Sequence, residues 1–318
     1  MKYSRPLLRH VLIFTLVLGM GSCKERKMNE NSINKNKSAA EFLGHPEYKA
    51  ISYGGYRTLT REDQPSLSQI KEDLKILSAL GIKVIRTYNL QLDQASNILK
   101  AIQALKSQEA GFEMYVMLGA WIDCQGAWSQ NQPNHDIEDQ ENNNSEITKA
   151  ITLANQYPDI VKIISVGNEA MVHWATSYFV RPAVILKWVS YLQTQKAKGN
   201  LPESLWITSS DNFASWGGGD AAYHNEDLTA LIKAVDYISI HTYPFHDTHH
   251  NSSFWVESQK NTSHLQAKAR IELAVQSAVD YAVSQYQAVE SYVESLGVEK
   301  PIHIGETGWA TVSSDFDH

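Results

Sequence analysis

Two short segments hold the residues best placed to do chemistry. The first reads Ile163-Ile164-Ser165-Val166-Gly167-Asn168-Glu169-Ala170. The second reads Pro301-Ile302-His303-Ile304-Gly305-Glu306-Thr307-Gly308-Trp309. Each is an apolar run with a glycine shortly before a carboxylate. An acid at the end of a buried strand is costly unless it is hydrogen-bonded or used. Two such acids on separate strands can face each other across a cleft. One can then protonate a leaving oxygen while the other attacks the adjacent carbon or activates water, which is the chemistry of glycoside hydrolysis. A separation of roughly 5–5.5 Å gives retention, and a wider gap gives inversion. One acid of such a pair is expected to stay protonated beside its ionised neighbour. The structural alternative is that each acid pairs with a buried arginine such as Arg86.

The elements that must position these acids follow a repeating rhythm of apolar strand, polar loop and amphipathic helix. Strands are expected at Ile51–Gly55, Lys83–Tyr88, Glu113–Ala120, Val161–Val166, Leu205–Ser209, Tyr237–His241 and Pro301–Gly305. Helices are expected at Ser66–Leu80, Leu92–Lys106, Glu146–Gln156, Arg181–Lys198, Asp227–Ala234 and His264–Ser295. Leu67, Ile70, Leu74, Leu77 and Leu80 fall on one face of the first of these. Gly81 ends that helix, and Pro182 opens the fourth. Gln130–Asn144, rich in Asn, Asp and Gln, reads as a solvated loop. Alternating strands and helices imply a parallel sheet with right-handed crossovers. Polar and aromatic residues recur at strand C-terminal ends: Tyr53, Tyr88, Asp123, Asn168, Glu169, His241, Tyr243, Glu306 and Trp309. That pattern favours an α/β fold of the (β/α)8 TIM-barrel type, whose active face is built there. Glu169 follows the fourth strand and Glu306 the seventh. The eighth strand-helix unit is missing from this count, so the barrel is expected to be truncated at its C-terminus.

The pair Val-Gly-Asn-Glu and Gly-Glu-Thr-Gly-Trp resembles glycoside hydrolase family 17, the β-1,3-glucanases or laminarinase-like enzymes. Ile85-Arg86-Thr87-Tyr88 is similar to the family's Ile-Arg-x-Tyr, and His241-Thr242-Tyr243-Pro244-Phe245 to its Tyr-Pro segment. Ala310 departs from the proline usual in plant members. The resemblance implies a retaining enzyme with Glu169 as acid/base and Glu306 as nucleophile. It implies that Asn168 bonds the sugar 2-hydroxyl and that Tyr243 touches the nucleophile. Tyr53, Tyr88 and Trp309 are candidate sugar-facing rings, and Asp123 is a candidate subsite residue. Trp121, Trp128, Trp174 and Trp216 are each open to a platform or a packing role. β-1,3-Glucan is the expected substrate. A β-1,3-glucanosyltransferase with the same intermediate and a catalytically idle glucan-binding lipoprotein are the alternatives.

Composition narrows the rest. The 318 residues are 43% apolar and carry a net charge of −7, which suits one large domain and offers nucleic acid no attraction. No Gly-rich phosphate loop follows the first strand, so no nucleotide cofactor is expected. His241, His246, His249 and His250 are dense but lack a helical ligand pair, so no metal is expected either. The two cysteines, Cys23 and Cys124, suggest no disulfide framework. Basic Lys2, Arg5 and Arg9, an apolar Val11–Leu18 run and Gly21-Ser22-Cys23 read as a bacterial lipoprotein signal. The expected organisation is a signal peptide over 1–22, a lipidated Cys23 with a flexible tether to 45, and a catalytic barrel over 46–318. Export across the inner membrane, a lipid anchor facing the periplasm or cell surface, and a monomeric state complete the expectation.

Overall fold

The computed structural model describes residues 37–249, 254–255 and 261–308. The signal segment, Cys23, most of the tether and Trp309 lie outside them. Seven parallel strands form the main sheet: β1 (Lys49–Ser52), β2 (Ile82–Arg86), β3 (Tyr115–Ala120), β6 (Val161–Asn168), β7 (Trp206–Asn212), β8 (Ile238–His241) and β9 (Ile302–Glu306). They lie side by side in chain order, with every neighbouring pair parallel. Two further strands, β4 (Cys124–Gln125) and β5 (Asn134–Glu138), make a small antiparallel hairpin. The helices are α1 (Ala39–Phe42), α2 (Leu67–Ala79), α3 (Gln94–Gln108), α4 (Gln140–Gln156), α5 (Pro182–Ala197), α6 (Glu226–Ala234), α7 (Pro244–His249) and α8 (Ala267–Ser295). None of them is long and apolar enough to cross a membrane.

Local sequence explains the helix ends. Ser66 caps α2, accepting from the Gln69 amide, while the Gln69 side chain returns to the Ser66 amide. Asn225 caps α6 by accepting from the Leu228 amide, without a returning side chain. Strands β3, β6 and β7 are buried almost throughout, as parallel strands covered on both faces must be.

Two apolar layers result. One lies between sheet and helices, where Ile70 and Leu74 of α2, Ile98, Leu99 and Ile102 of α3 and Ile185 and Leu192 of α5 are buried. The other lies inside the curved sheet, where Val84, Tyr115, Met117, Ile163 and Tyr237 meet. Phe42 of α1 stacks flat on Tyr115 at 4.9 Å and joins this inner layer. The sheet is thus a nearly closed barrel of the TIM-like α/β kind, with β1 and β9 as its edges among the described residues. The turn after α1 lies against β9: a Cβ on Gly44 would come within 3.1 Å of the His303 ring.

The stretch Gln130–Asn144 departs from the solvated-loop expectation. It supplies β5 and the first turn of α4. Asn143 is fully buried, accepts from the Asp123 amide and donates to the Asp123 carbonyl. Glu138 receives Trp188 Nε1–H at 2.7 Å and pairs with Lys187. Polar composition concealed a largely exposed hairpin that is tied to α5 through Glu138.

Candidate active site

Glu169 stands just beyond β6. The β6–β7 register shifts between Ser165 and Asn168, a bulge that turns the strand end. Gly167 takes a φ of +81°, and a Cβ there would meet Ala170 Cβ at 2.9 Å. Glu169 itself has a φ of +45°. Such a backbone costs about 1–3 kcal/mol for a residue with a side chain and persists only where surrounding structure holds it. Here the Glu169 amide is tied to the Ser210 carbonyl at 3.0 Å. Glu306 ends β9, in register with His241 of β8.

The structure brings Glu169, Glu306 and His241 together: one oxygen of each acid and a ring nitrogen lie within 4.8 Å of one another. His241 Nδ1 is 3.0 Å from Glu169 Oε1 and 3.6 Å from Glu306 Oε2. Its Nε2 is 2.7 Å from Ser210 Oγ, which is in turn 2.8 Å from Ser239 Oγ. Burial pushes the imidazole down to about 4, against the raising effect of its bond to Glu169, so the ring is neutral near pH 7. A carboxylate can only accept, so beside ionised Glu169 the proton belongs on Nδ1, and Nε2 accepts from Ser210.

Both oxygens of Glu306 are held. Tyr243 donates its hydroxyl to Oε2 at 2.8 Å, and Arg86 Nη1 pairs with Oε1. Arg86 also donates from Nη2 to Asn168 Oδ1 at 2.6 Å, and its guanidinium lies 4.9 Å from the Tyr88 ring centre. Asn168 Oδ1 is thereby occupied, which leaves the amide NH₂ as its donor. Arg86 is buried; desolvation lowers its pKa, and the nearby Tyr88, Tyr237, Tyr243 and Glu169 oppose that shift. Burial raises the Tyr243 hydroxyl to about 12, so it remains a donor. Glu169, His241 and Glu306 could converge on an ion. Arg86 already supplies the positive charge at Glu306, which works against a second cation there.

The other candidate residues are placed differently. Tyr53 is buried, and its hydroxyl donates to Asp73 of α2 at 2.6 Å. Asp123 is buried beneath two indoles: Trp121 and Trp128 donate to its Oδ1 at 2.6 and 3.1 Å. Trp216 is fully buried and bonds the Ser239 carbonyl, a packing position. Trp174 is exposed.

Sequence reasoning missed the support behind the acids. Asp211 of β7 is fully buried and accepts from the Met171 and Asn212 amides, each at 2.8 Å. Burial raises its pKa to about 7, with Glu169 among the further causes. Glu146 of α4 is likewise raised to about 7 by burial while it accepts from the Leu90 and Trp121 amides. The available signal was the run Thr208-Ser209-Ser210-Asp211, polar residues where a buried strand should be apolar.

An acid pair at the C-terminal mouth of a barrel, steadied by arginine, tyrosine and histidine, defines a barrel glycosidase. The chain belongs to the BtgE/BtgC glycoside hydrolase domain family, whose match spans residues 50–318. Among solved structures, an endo-laminarinase from Formosa Hel1_33_131 is 57% identical, with a TM-score of 0.85 over 88% of this chain and 70% of its own. A β-1,3-glucanase and allergen of Cryptomeria japonica pollen is 16% identical, with a TM-score of 0.50 over 85% of this chain and 78% of its own, and shares the fold. No curated protein sequence matches.

Proposed function

We propose that this glycosidase hydrolyses β-1,3-glucan by double displacement with retention, in the manner of glycoside hydrolase family 17. Glu169 is the acid/base and Glu306 the nucleophile. The observation that carries this reading is the spacing. Carboxylate oxygens within 4.8 Å suit the retaining arrangement, with carboxyls about 5–5.5 Å apart, better than the gap of about 6.5–9.5 Å that inversion needs for its water. The 57% identity to an endo-laminarinase supports β-1,3-glucan as the substrate.

In this reading Arg86 and Tyr243 hold Glu306 ionised and aimed at the anomeric carbon. Glu169 gives its proton to the leaving oxygen as the glycosyl ester forms on Glu306. The bound sugar removes the charge from Glu306. Glu169, now ionised, takes a proton from water, which cleaves the ester and restores both acids. His241 Nδ1–H steadies Glu169 in that ionised phase. The Asn168 amide donates to the sugar 2-hydroxyl, and Tyr88 and Trp309 border the sugar. Cys23 is the lipidation site after signal cleavage, and the anchored enzyme meets polymer in the periplasm or at the cell surface.

Release of reducing ends from laminarin by the parent, Glu169→Gln and Glu306→Gln tests the assignment. Each variant should lose at least about 10²–10⁴-fold in kcat. A variant near the parent's rate removes the role given to that residue. Products longer than the starting oligosaccharide would make the chain a transferase.

A further inference from the structure

Three aromatic rings stand together on the loops that follow β3 and Glu169, and the catalytic steps use none of them. Trp128 stacks on Tyr178 at 4.8 Å and 19°, and Trp121 meets both, at 6.3 and 5.2 Å. Packing alone accounts poorly for Trp128. The residue is 63% exposed, and its backbone takes a φ of +58°, a conformation that bulky residues rarely adopt. The cluster is nevertheless held rigidly. The buried Asp123 carboxylate accepts from both indoles on one oxygen, which fixes two ring planes at once. The backbone adds further ties, with the Trp128 amide on the Ser177 carbonyl and the Cys124 amide on the Tyr178 carbonyl, both at 3.4 Å.

Topology sets the cluster next to Glu169. Trp121 follows Ala120, which pairs with Val166 three residues before Glu169. The loop leaving Glu169 folds back on itself, with the Val180 amide on the Ala170 carbonyl at 2.7 Å, and so returns Tyr178 toward that acid. Glu306 stands at the far side, on β9. An exposed, pre-oriented ring face matches the C–H face of a pyranose, a low-entropy partner for a rigid aromatic.

We propose that Trp128, stacked on Tyr178 and tied with Trp121 to Asp123, is a pyranose-stacking subsite on the leaving-group side of the cleft. The inference rests on the glycan reading above. Asp123 is then a positioning residue that acts through the two indoles and does not touch sugar.

The test compares two substrates. Laminarihexaose places sugars on the leaving-group side, whereas β-laminaribiosyl fluoride leaves only a fluoride ion there. In Trp128→Ala the ratio of kcat/KM on the hexaose to that on the fluoride should fall about tenfold. Trp128→Phe, which keeps a flat ring, should hold the ratio within about threefold of the parent. Because both readings come from one preparation, a loss of folded protein cancels in the ratio. A parent active on both substrates with an unmoved ratio in Trp128→Ala overturns the subsite alone. A parent inactive on both overturns the glycan reading, and the subsite with it.

Discussion

Between Glu169 and Glu306 stands the neutral imidazole of His241, fixed by Ser210 behind it and facing both acids in front. A hydrogen bond to a charged group contributes about 1.5–3 kcal/mol, so its loss should show in turnover. His241→Phe should lower kcat by about 10–100-fold with little change in KM, measured on laminarin oligosaccharides. An unchanged kcat would mean that the imidazole only packs. The two acids were legible in the sequence because each ends an apolar strand with a glycine nearby. His241 also stood at a strand end, yet its nearness to His246, His249 and His250 drew it into a question about metals. Tyr53 and Asp123 looked like cleft residues by the same rule. Tyr53 bonds Asp73 of α2, and Asp123 bonds two indoles of its own loop; the position of a residue at a strand end reveals neither partner.

At the scale of elements, strand ends are shaped so that side chains converge. The bulge in β6 and the left-handed backbone of Glu169 turn one acid toward β9. Gly305 does the complementary work on β9. A Cβ there would lie 2.2 Å from Ser239 Oγ and 2.6 Å from Ser210 Oγ. Those are the hydroxyls behind His241, so Gly305→Ala must displace the relay as well as crowd the strands. Overpacking of this kind costs about 1–3 kcal/mol, and Gly305→Ala should lower the denaturation midpoint and kcat together. A variant as stable and as active as the parent would contradict the packing described. Helix starts were readable from Ser66 and Pro182, and strand order from the apolar runs. The β4–β5 hairpin was not, because its side chains are polar and their mates, Trp188 and Lys187, come from α5.

At the scale of the molecule, the barrel carries buried carboxyl groups whose protonation favours the fold. Asp211 has an ordinary value of 3.8 and is raised to about 7. Between those values the folded chain holds a proton that the unfolded chain has released. This contribution is therefore full below about pH 4 and is lost as pH rises through about 7. Glu146 acts with the same sign. His241, pushed down by burial, acts with the opposite sign at lower pH. Asp211→Asn should therefore flatten the decline in stability between about pH 4 and 7, read by denaturant unfolding at each pH. A parent and variant with parallel profiles would contradict the assignment. The same barrel places the acids on its fourth and seventh parallel strands, as the apolar rhythm predicted. Double displacement requires two carboxyls close enough to share one glycosidic bond. Proton NMR of the first products released from laminarihexaose tests this most directly. Retention predicts that the new reducing end appears first as the β anomer, before mutarotation. A first product in the α form would contradict the double displacement and the spacing on which it rests.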